Sequence, residues 1–199
     1  MRHLSLRLFV FVVATCVLGY WLYLGVTGAL GPDPGKVLVD NLGQGALVFL
    51  LCSLSITPLQ RVSGWSGWMA IRRQLGLWCF AYATLHIAGY LVFLLGLDFA
   101  SLPAELLERP YITVGALAWL ALLALAATSS RWSMRKLGKR WKRLHRLVYP
   151  VLLLDLLHML WVVRADAGRW ALYASIGAAL LVIRFPSVQR WTAAKRIKM

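Results

Sequence analysis

The strongest constraint on this chain is a series of six long apolar stretches separated by short polar segments. They cover residues 8–30, 42–59, 75–97, 111–129, 147–163 and 170–185. Each one, when helical, crosses or nearly crosses the ~30 Å of hydrocarbon in a bilayer. Hydrophobic residues make up 60% of the 199-residue chain and charged residues 15%, and a soluble core of this size cannot bury so much apolar surface. The pattern predicts an all-α integral membrane protein with six transmembrane helices.

The polar connections are too short to fold by themselves, so residues 1–199 are expected to form a single transmembrane domain. No internal repeat is evident in the residue pattern. The first apolar stretch is about 23 residues long, beyond the 7–15 residues of a usual signal-peptide core, which favours an uncleaved helix.

The basic residues are distributed unevenly over the two sides that six spans define. Of the 22 Lys and Arg residues, 18 fall on the side of the two termini, eight of them between residues 130 and 146. Six of the seven acidic residues fall on the opposite side. Because cytoplasmic connections carry the excess of Lys and Arg, both termini are expected in the cytoplasm. The net charge of +15 therefore reflects membrane topology and argues against a nucleic-acid partner.

Two histidines are predicted at the same depth in the membrane. His86 follows Arg73 by 13 residues and His158 follows Arg143 by 15, which places them about 20 and 22 Å into helices that run in the same direction. Two opposed imidazoles at one level are suited to axial ligation of a heme iron between helices. The alternative is that each histidine packs alone, hydrogen-bonded to a neighbouring hydroxyl or carbonyl.

Two further ionisable residues accompany this pair. Asp155 precedes His158 by less than one turn and is expected either to accept a proton from its ring or to pack as a neutral acid. His145 lies about 20 Å closer to the cytoplasm than His158, so it is not expected to share an iron with the pair. A second heme at His145 would lack an obvious opposing histidine.

The three cysteines, Cys16, Cys52 and Cys79, are scattered within apolar stretches and form no CxxC pair. They are expected to be small, buried apolar side chains, neither part of a disulfide framework nor part of a metal site.

Several segments, taken in order, resemble one family of membrane proteins. They are RRQLGLWCFAYATLHIAGY, ERPYITVGALAWLALLALAATSS and LGKRWKRLHRLVYPVLLLDLLHMLW, together with GPDPG after the first span and LSITPL closing the second. The chain resembles the MsrQ (YedZ) family, the heme-binding membrane subunits of a bacterial periplasmic methionine sulfoxide reductase system. That family is related to the transmembrane part of ferric reductases and NADPH oxidases.

The resemblance implies a b-type heme held at His86 and His158, with His145 as a further candidate ligand. It also implies FMN, a respiratory quinone as electron donor, and a periplasmic molybdopterin reductase (MsrP) as acceptor. One departure is visible, because Asn41-Leu42-Gly43-Gln44 stands where relatives carry His-Phe-Thr-Gly. No FMN-binding motif is legible in the sequence, so FMN follows from the resemblance alone.

Cationic residues are available on both sides of the membrane to pair with heme propionates. Arg72 and Arg73 lie on the inner side, and Arg164 and Arg169 on the outer side. The sequence leaves both options open.

The resulting expectation is an inner-membrane cytochrome b, an electron-transfer subunit without catalytic residues of its own. It would carry electrons from quinone to a periplasmic enzyme that repairs oxidised methionine in proteins. One alternative is a ferric reductase-like carrier fed by a separate flavin reductase. The other is a non-redox membrane transporter or assembly factor.

The charge distribution predicts the result of a topology experiment. A reporter fused after Met199 should be active in the cytoplasm, and one inserted within residues 98–110 should be active outside. Paired phosphatase and fluorescent-protein fusions measure both positions, and the reverse pattern would contradict the predicted direction of electron flow.

Overall fold

A computed structural model describes residues 3–162 and 167–184, and within these ranges the chain is helical with no strand. The helices are α1 (Leu4–Val26), α2 (Pro34–Ser63), α3 (Gly67–Gly89), α4 (Leu102–Glu108), α5 (Pro110–Ala127), α6 (Arg131–Leu137), α7 (Lys139–Leu144), α8 (Val148–Val162) and α9 (Ala167–Val182). A π-helical turn, Tyr90–Leu94, extends α3, and a 3-10 turn, His145–Leu147, joins α7 to α8.

The predicted fold class is confirmed. Five helical segments of the described chain are long and apolar enough to span a bilayer: Leu4–Val26, Pro34–Ser63, Gly67–Leu94, Pro110–Ala127 and Lys139–Val162. The sixth, α9, is apolar but has 16 residues, which corresponds to about 24 Å. The chain is therefore a multi-pass membrane protein.

Two boundaries differ from the sequence prediction because polar residues extend the helices. The second span begins at Pro34 rather than near residue 42, since the Asp33 side chain caps the helix by accepting from the Lys36 backbone N–H at 3.0 Å. The basic connection after α5 is also helical, forming α6 and α7 around a left-handed Gly138. In both places, the structure has helical turns where the sequence predicted a loop.

The central helices form two antiparallel pairs. In the first pair, the start of α2 meets the end of α3 where His86 bonds Val39, and the opposite ends meet where Ser53 contacts the Arg72 carbonyl. In the second pair, the start of α5 meets the end of α8 where His158 bonds Tyr111. We call the first pair the α2–α3 hairpin and the second the α5–α8 pair.

The core lies between these two pairs. Leu47, Leu50 and Leu54 of α2 pack with Val151 and Leu152 of α8, and all five are at most 2% exposed. Because lipid is as apolar as these side chains, it is their close van der Waals packing that holds the two pairs together.

The first helix packs at the periphery and is attached by polar contacts. The buried Tyr82 hydroxyl donates to the Ala14 carbonyl at 2.7 Å, and Arg7 donates to the Ala70 carbonyl at 3.1 Å. Most other side chains of α1 face outward, and Phe9, for example, is 64% exposed. Lipid would cover this surface in a membrane.

The cysteines are free, as expected. Cys79 is buried in the core, which confirms the prediction for that residue. Cys16 and Cys52 were also predicted to be buried, but their side chains are exposed on the outer surface of the helices.

The Tyr82 contact generates a stability prediction. Tyr82→Phe should lower the unfolding free energy by about 1 kcal/mol, because it removes one buried hydrogen bond between α3 and α1 while keeping the ring. Thermal unfolding of the detergent-purified protein measures this, with Tyr20→Phe as the control because Tyr20 is 59% exposed. Equal melting temperatures for the two variants would contradict the assigned role of the hydroxyl.

Candidate functional site

The structure brings two membrane histidines together. His86 near the end of α3 and His158 near the end of α8 have ring centroids 6.1 Å apart, with the ring planes at 86° to each other. The two helices belong to different pairs, so the rings face each other across the interface between the pairs. The predicted match in depth is confirmed by this distance.

The two rings have the same hydrogen-bonding arrangement. His86 Nδ1 lies 2.8 Å from the Val39 carbonyl oxygen, and His158 Nδ1 lies 2.7 Å from the Tyr111 carbonyl oxygen. A carbonyl only accepts, so each Nδ1 carries the proton and donates it. In a neutral imidazole the other nitrogen, Nε2, then keeps its lone pair, which is the form that ligates a metal.

Asp155 does not accept the ring proton of His158, which was one of the two roles predicted for it from the sequence. The His158 ring proton goes to the Tyr111 carbonyl of α5 rather than to the Asp155 carboxyl. The Asp155 side chain instead lines the cavity described next. The α5 helix holds the Tyr111 carbonyl 2.7 Å from Nδ1 of the ring, so this carbonyl is the acceptor.

A large cavity surrounds the histidine pair. Its volume is about 1470 Å³, above the roughly 300–1,000 Å³ of ordinary small-molecule sites. Its walls are mainly apolar and come from both helix pairs, including Leu47, Leu122, Val151 and Met159. A space of this size and polarity fits a large and mostly apolar cofactor.

Charged residues gather at one end of the cavity, which we call the rim. The rim residues that line it are Lys36, Asp40, Glu108, Arg109 and Arg169. Lys36 and Asp40 lie in the first two turns of α2. Glu108 and Arg109 directly precede α5, and Arg169 lies in the first turn of α9. The rim thus lies on the side that the charge distribution predicts to be outside.

Ion pairs and a hydrogen bond order part of the rim. Lys36 pairs with Asp40 at 2.8 Å, and Arg109 pairs with Glu105 at 3.0 Å. Tyr90, in the π-helical turn after His86, donates its hydroxyl to Glu105 at 3.0 Å. The Glu105 carboxylate raises the pKa of Arg109, so this guanidinium is charged at every physiological pH.

The structure distinguishes between the arginines considered for propionate pairing. Arg169 lines the cavity, whereas Arg72 and Arg73 are not among its lining residues. Arg164 lies outside the described residues. The outer side is therefore the one with cations near the histidine pair.

His145 is in a different environment from the pair. It lies on the 3-10 turn before α8, stacked on Trp141 with ring centroids 4.0 Å apart. Thirteen residues separate it from His158, which corresponds to about 20 Å of helix. His145 is not among the residues that line the cavity around the pair, and that it does not share an iron with them stays a prediction.

The hydrogen bonds of His145 also differ from those of the pair. Its Nε2 lies 3.2 Å from the Thr128 hydroxyl, and that hydroxyl donates its only proton to the Ala124 carbonyl at 2.7 Å. The Thr128 oxygen must then accept from His145, so His145 carries its proton on Nε2. Its Nε2 lone pair is not available for a metal in this arrangement.

No three His, Cys, Asp or Glu side chains converge on a metal-binding point within residues 3–162 and 167–184. The two-histidine geometry matches a metal whose remaining ligands come from a bound cofactor.

Sequence reasoning did not find several parts of this site. The acceptors at Val39 and Tyr111 are backbone atoms, which leave no mark on residue identity. Lys36 and Arg109 were assigned to connections, although they line the cavity together with the histidines. The one available signal was the position of these cations beside the predicted outer ends of the spans.

The fold and the paired histidines define a class of membrane protein with an apolar cofactor cavity between helix pairs, and comparisons identify its family. Residues 42–156 match the family described as "Ferric reductase like transmembrane component". The chain is also 43% identical, over 173 residues, to the "Protein-methionine-sulfoxide reductase heme-binding subunit MsrQ" of Salmonella arizonae, covering 86% of this chain and 87% of that protein. The chain therefore belongs to the ferric reductase-like transmembrane family and, within it, to the MsrQ proteins.

The hydrogen bonds predict the tautomers of three histidines. In the heme-free protein, His86 and His158 should carry the proton on Nδ1, and His145 should carry it on Nε2. Nitrogen-15 NMR of histidine-labelled protein in lipid measures this, because protonated and unprotonated ring nitrogens have well-separated shifts. Signals are assigned by single His→Ala variants, and a common tautomer for all three would contradict the arrangement.

Proposed function

We propose that this protein is a cytochrome b of the bacterial inner membrane, in which His86 and His158 ligate one heme b iron. Its function is to pass electrons from the quinone pool to a periplasmic molybdopterin reductase that repairs methionine sulfoxide in proteins. The 6.1 Å separation of the two rings is the observation that carries this proposal.

The ring separation fits two nitrogens on one iron. A metal–imidazole bond is about 2 Å long, and adding the distance from each nitrogen to its ring centre gives a centroid separation of about 6 Å. The hydrogen bonds to Val39 and Tyr111 leave Nε2 on each ring with a lone pair. The donor set is therefore suited to a six-coordinate heme, whose bound iron supplies one-electron chemistry.

The protein residues contribute orientation, dryness and charge. The carbonyls of α2 and α5 fix the tautomer and the rotation of each ring, as partners of metal-ligating histidines generally do. The apolar walls exclude water from the space around the pair. At the rim, Lys36, Arg109 and Arg169 are the cations best placed to pair with propionate carboxylates.

The position of the cavity supports the direction of electron transfer. Its rim lies beside α4 and the start of α5, on the side opposite the basic segment of α6 and α7. If that basic segment is cytoplasmic, as the charge distribution predicts, the histidine pair lies nearer the periplasmic face. A periplasmic acceptor can then approach the bound cofactor through the rim.

The proposal includes one heme, at the His86–His158 pair. His145 has its Nε2 committed to Thr128 and stacks on Trp141, so a second heme there would require the ring to leave both contacts. FMN remains an expectation from the resemblance, as does the choice between quinol and a separate flavin reductase as donor. A transporter or assembly factor without redox chemistry is the remaining alternative.

Substitution of each histidine tests the proposal. His86→Ala and His158→Ala should each abolish the six-coordinate heme spectrum and the reduction of methionine sulfoxide by the periplasmic partner. His145→Ala should keep that spectrum, because it lies about 20 Å away along α8. Absorption and pyridine-hemochrome assays of purified protein measure heme content, and quinol-driven turnover in membranes containing the partner measures transfer.

Three results would overturn different parts of the proposal. Absence of reducible heme bands in the purified chain after heme supplementation would favour the non-redox alternative. Loss of the only heme in His145→Ala, with retention in His158→Ala, would require a different ligand pair. Turnover with NADPH and a flavin reductase but none with quinol would replace the donor.

A further inference from the structure

The histidine pocket is built from two equivalent sets of residues. Each set contains a backbone carbonyl, a glycine one helical turn later, and a histidine 47 residues after the carbonyl. Every member of the second set lies 72 residues after its counterpart: Val39 and Tyr111, Gly43 and Gly115, His86 and His158. The two sets thus have the same internal spacing and the same arrangement of contacts.

The contacts within the two sets agree closely. The Nδ1-to-carbonyl distances are 2.8 and 2.7 Å. A Cβ atom built on Gly43 would lie 3.0 Å from His86 Nδ1 and 3.1 Å from its Cε1, and on Gly115 it would lie 2.9 and 3.0 Å from the same atoms of His158. Each imidazole thus faces its glycine with the same ring edge, the one formed by Nδ1 and Cε1.

The same spacing of 72 continues along the cavity wall. Ala46 and Ala118 line it at equivalent positions of α2 and α5, and Cys79 and Val151 do so on α3 and α8. Identical residues occur at few of these positions, notably the glycine, the alanine and the histidine. This limited identity explains why the residue pattern alone does not reveal the repeat.

Helix geometry explains why a glycine belongs at this place. In an α-helix, the carbonyl of residue i accepts from the N–H of residue i+4, so its free lone pair is reached past the side chain of that residue. Val39 and Gly43, like Tyr111 and Gly115, have this i, i+4 relation. A side chain at the second position would stand between the imidazole and the carbonyl.

We propose that Gly43 and Gly115 are positioning residues, and that each forms, with the carbonyl one turn before it, one of two copies of an imidazole-holding device. The device sets the rotation of each ring and presents Nε2 to the cavity. The inference deepens the proposed function, on which its relevance to heme rests. The perpendicular arrangement of the rings, at 86°, is the result of the two copies acting on helices from different pairs.

Gly43→Ala and Gly115→Ala test the device, with Gly76→Ala and Gly19→Ala as matched controls. The nearest atom to a Cβ at Gly76 is Ser53 Oγ at 3.8 Å, and nothing lies within 4 Å of one at Gly19. All four positions are in helices, so the controls reproduce the change in helix propensity without the contact to an imidazole.

The first readout uses heme-free protein and does not depend on the proposed function. Nitrogen-15 NMR should show the Nδ1–H signal of His86 displaced in Gly43→Ala and that of His158 displaced in Gly115→Ala, each without change at the other ring. Unaltered signals in both variants, as in the two controls, would overturn the inference whatever the heme content of the parent protein.

The second readout uses the heme-loaded protein. Each variant should retain heme about tenfold more weakly, as is usual when a partner of a metal-ligating histidine is lost. Electron paramagnetic resonance should show reduced anisotropy of the low-spin signal, which reports the angle between the ring planes. A simple loss of fold would instead lower the melting temperature of the heme-free protein, and heme retention equal to that of Gly76→Ala would contradict the positioning role.

Discussion

A helical carbonyl that accepts a second hydrogen bond is the interaction on which the rest of this site depends. Within a membrane, the backbone groups of each span are already paired inside the helix, and water is not available to a buried side chain. An imidazole N–H at that depth must therefore find a carbonyl with a free lone pair. Val39 and Tyr111 provide one each, and both rings are thereby fixed in the tautomer that leaves Nε2 for a metal.

The packing of the helices follows from the same requirement. Each histidine and its acceptor lie on partner helices, so the bond that orients the ring also joins α2 to α3 and α5 to α8. The two pairs then meet through Leu47, Leu50 and Val151, of which Leu47 and Val151 also form part of the cavity wall. Where the two pairs separate, they leave a dry, mainly apolar cavity, and the two imidazoles face each other across it.

Much of the fold and the central pair of the site could be predicted from the sequence, because both depend on regular quantities. Apolar length determines a span, and the fixed rise of a helix converts residue counts from Arg73 and Arg143 into matched depths for the histidines. The acceptor carbonyls could not be predicted, since which helix faces which ring depends on packing between distant segments. Lys36 and Asp40 of the rim were missed because Asp33 and Pro34 start α2 earlier than its apolar stretch does.

The two helix pairs have the same direction through the bundle, with the connections at residues 64–66 and 128–147 on one side. Both units thus cross the bundle in the same sense, as the units of parallel membrane repeats do. Each unit holds a single imidazole, so the opposed pair of rings exists only where both units are present. Equivalent positions of the two units need not carry the same side chain, since Ala83 and Asp155, 72 residues apart, both line the cavity wall and give its two halves different polarity.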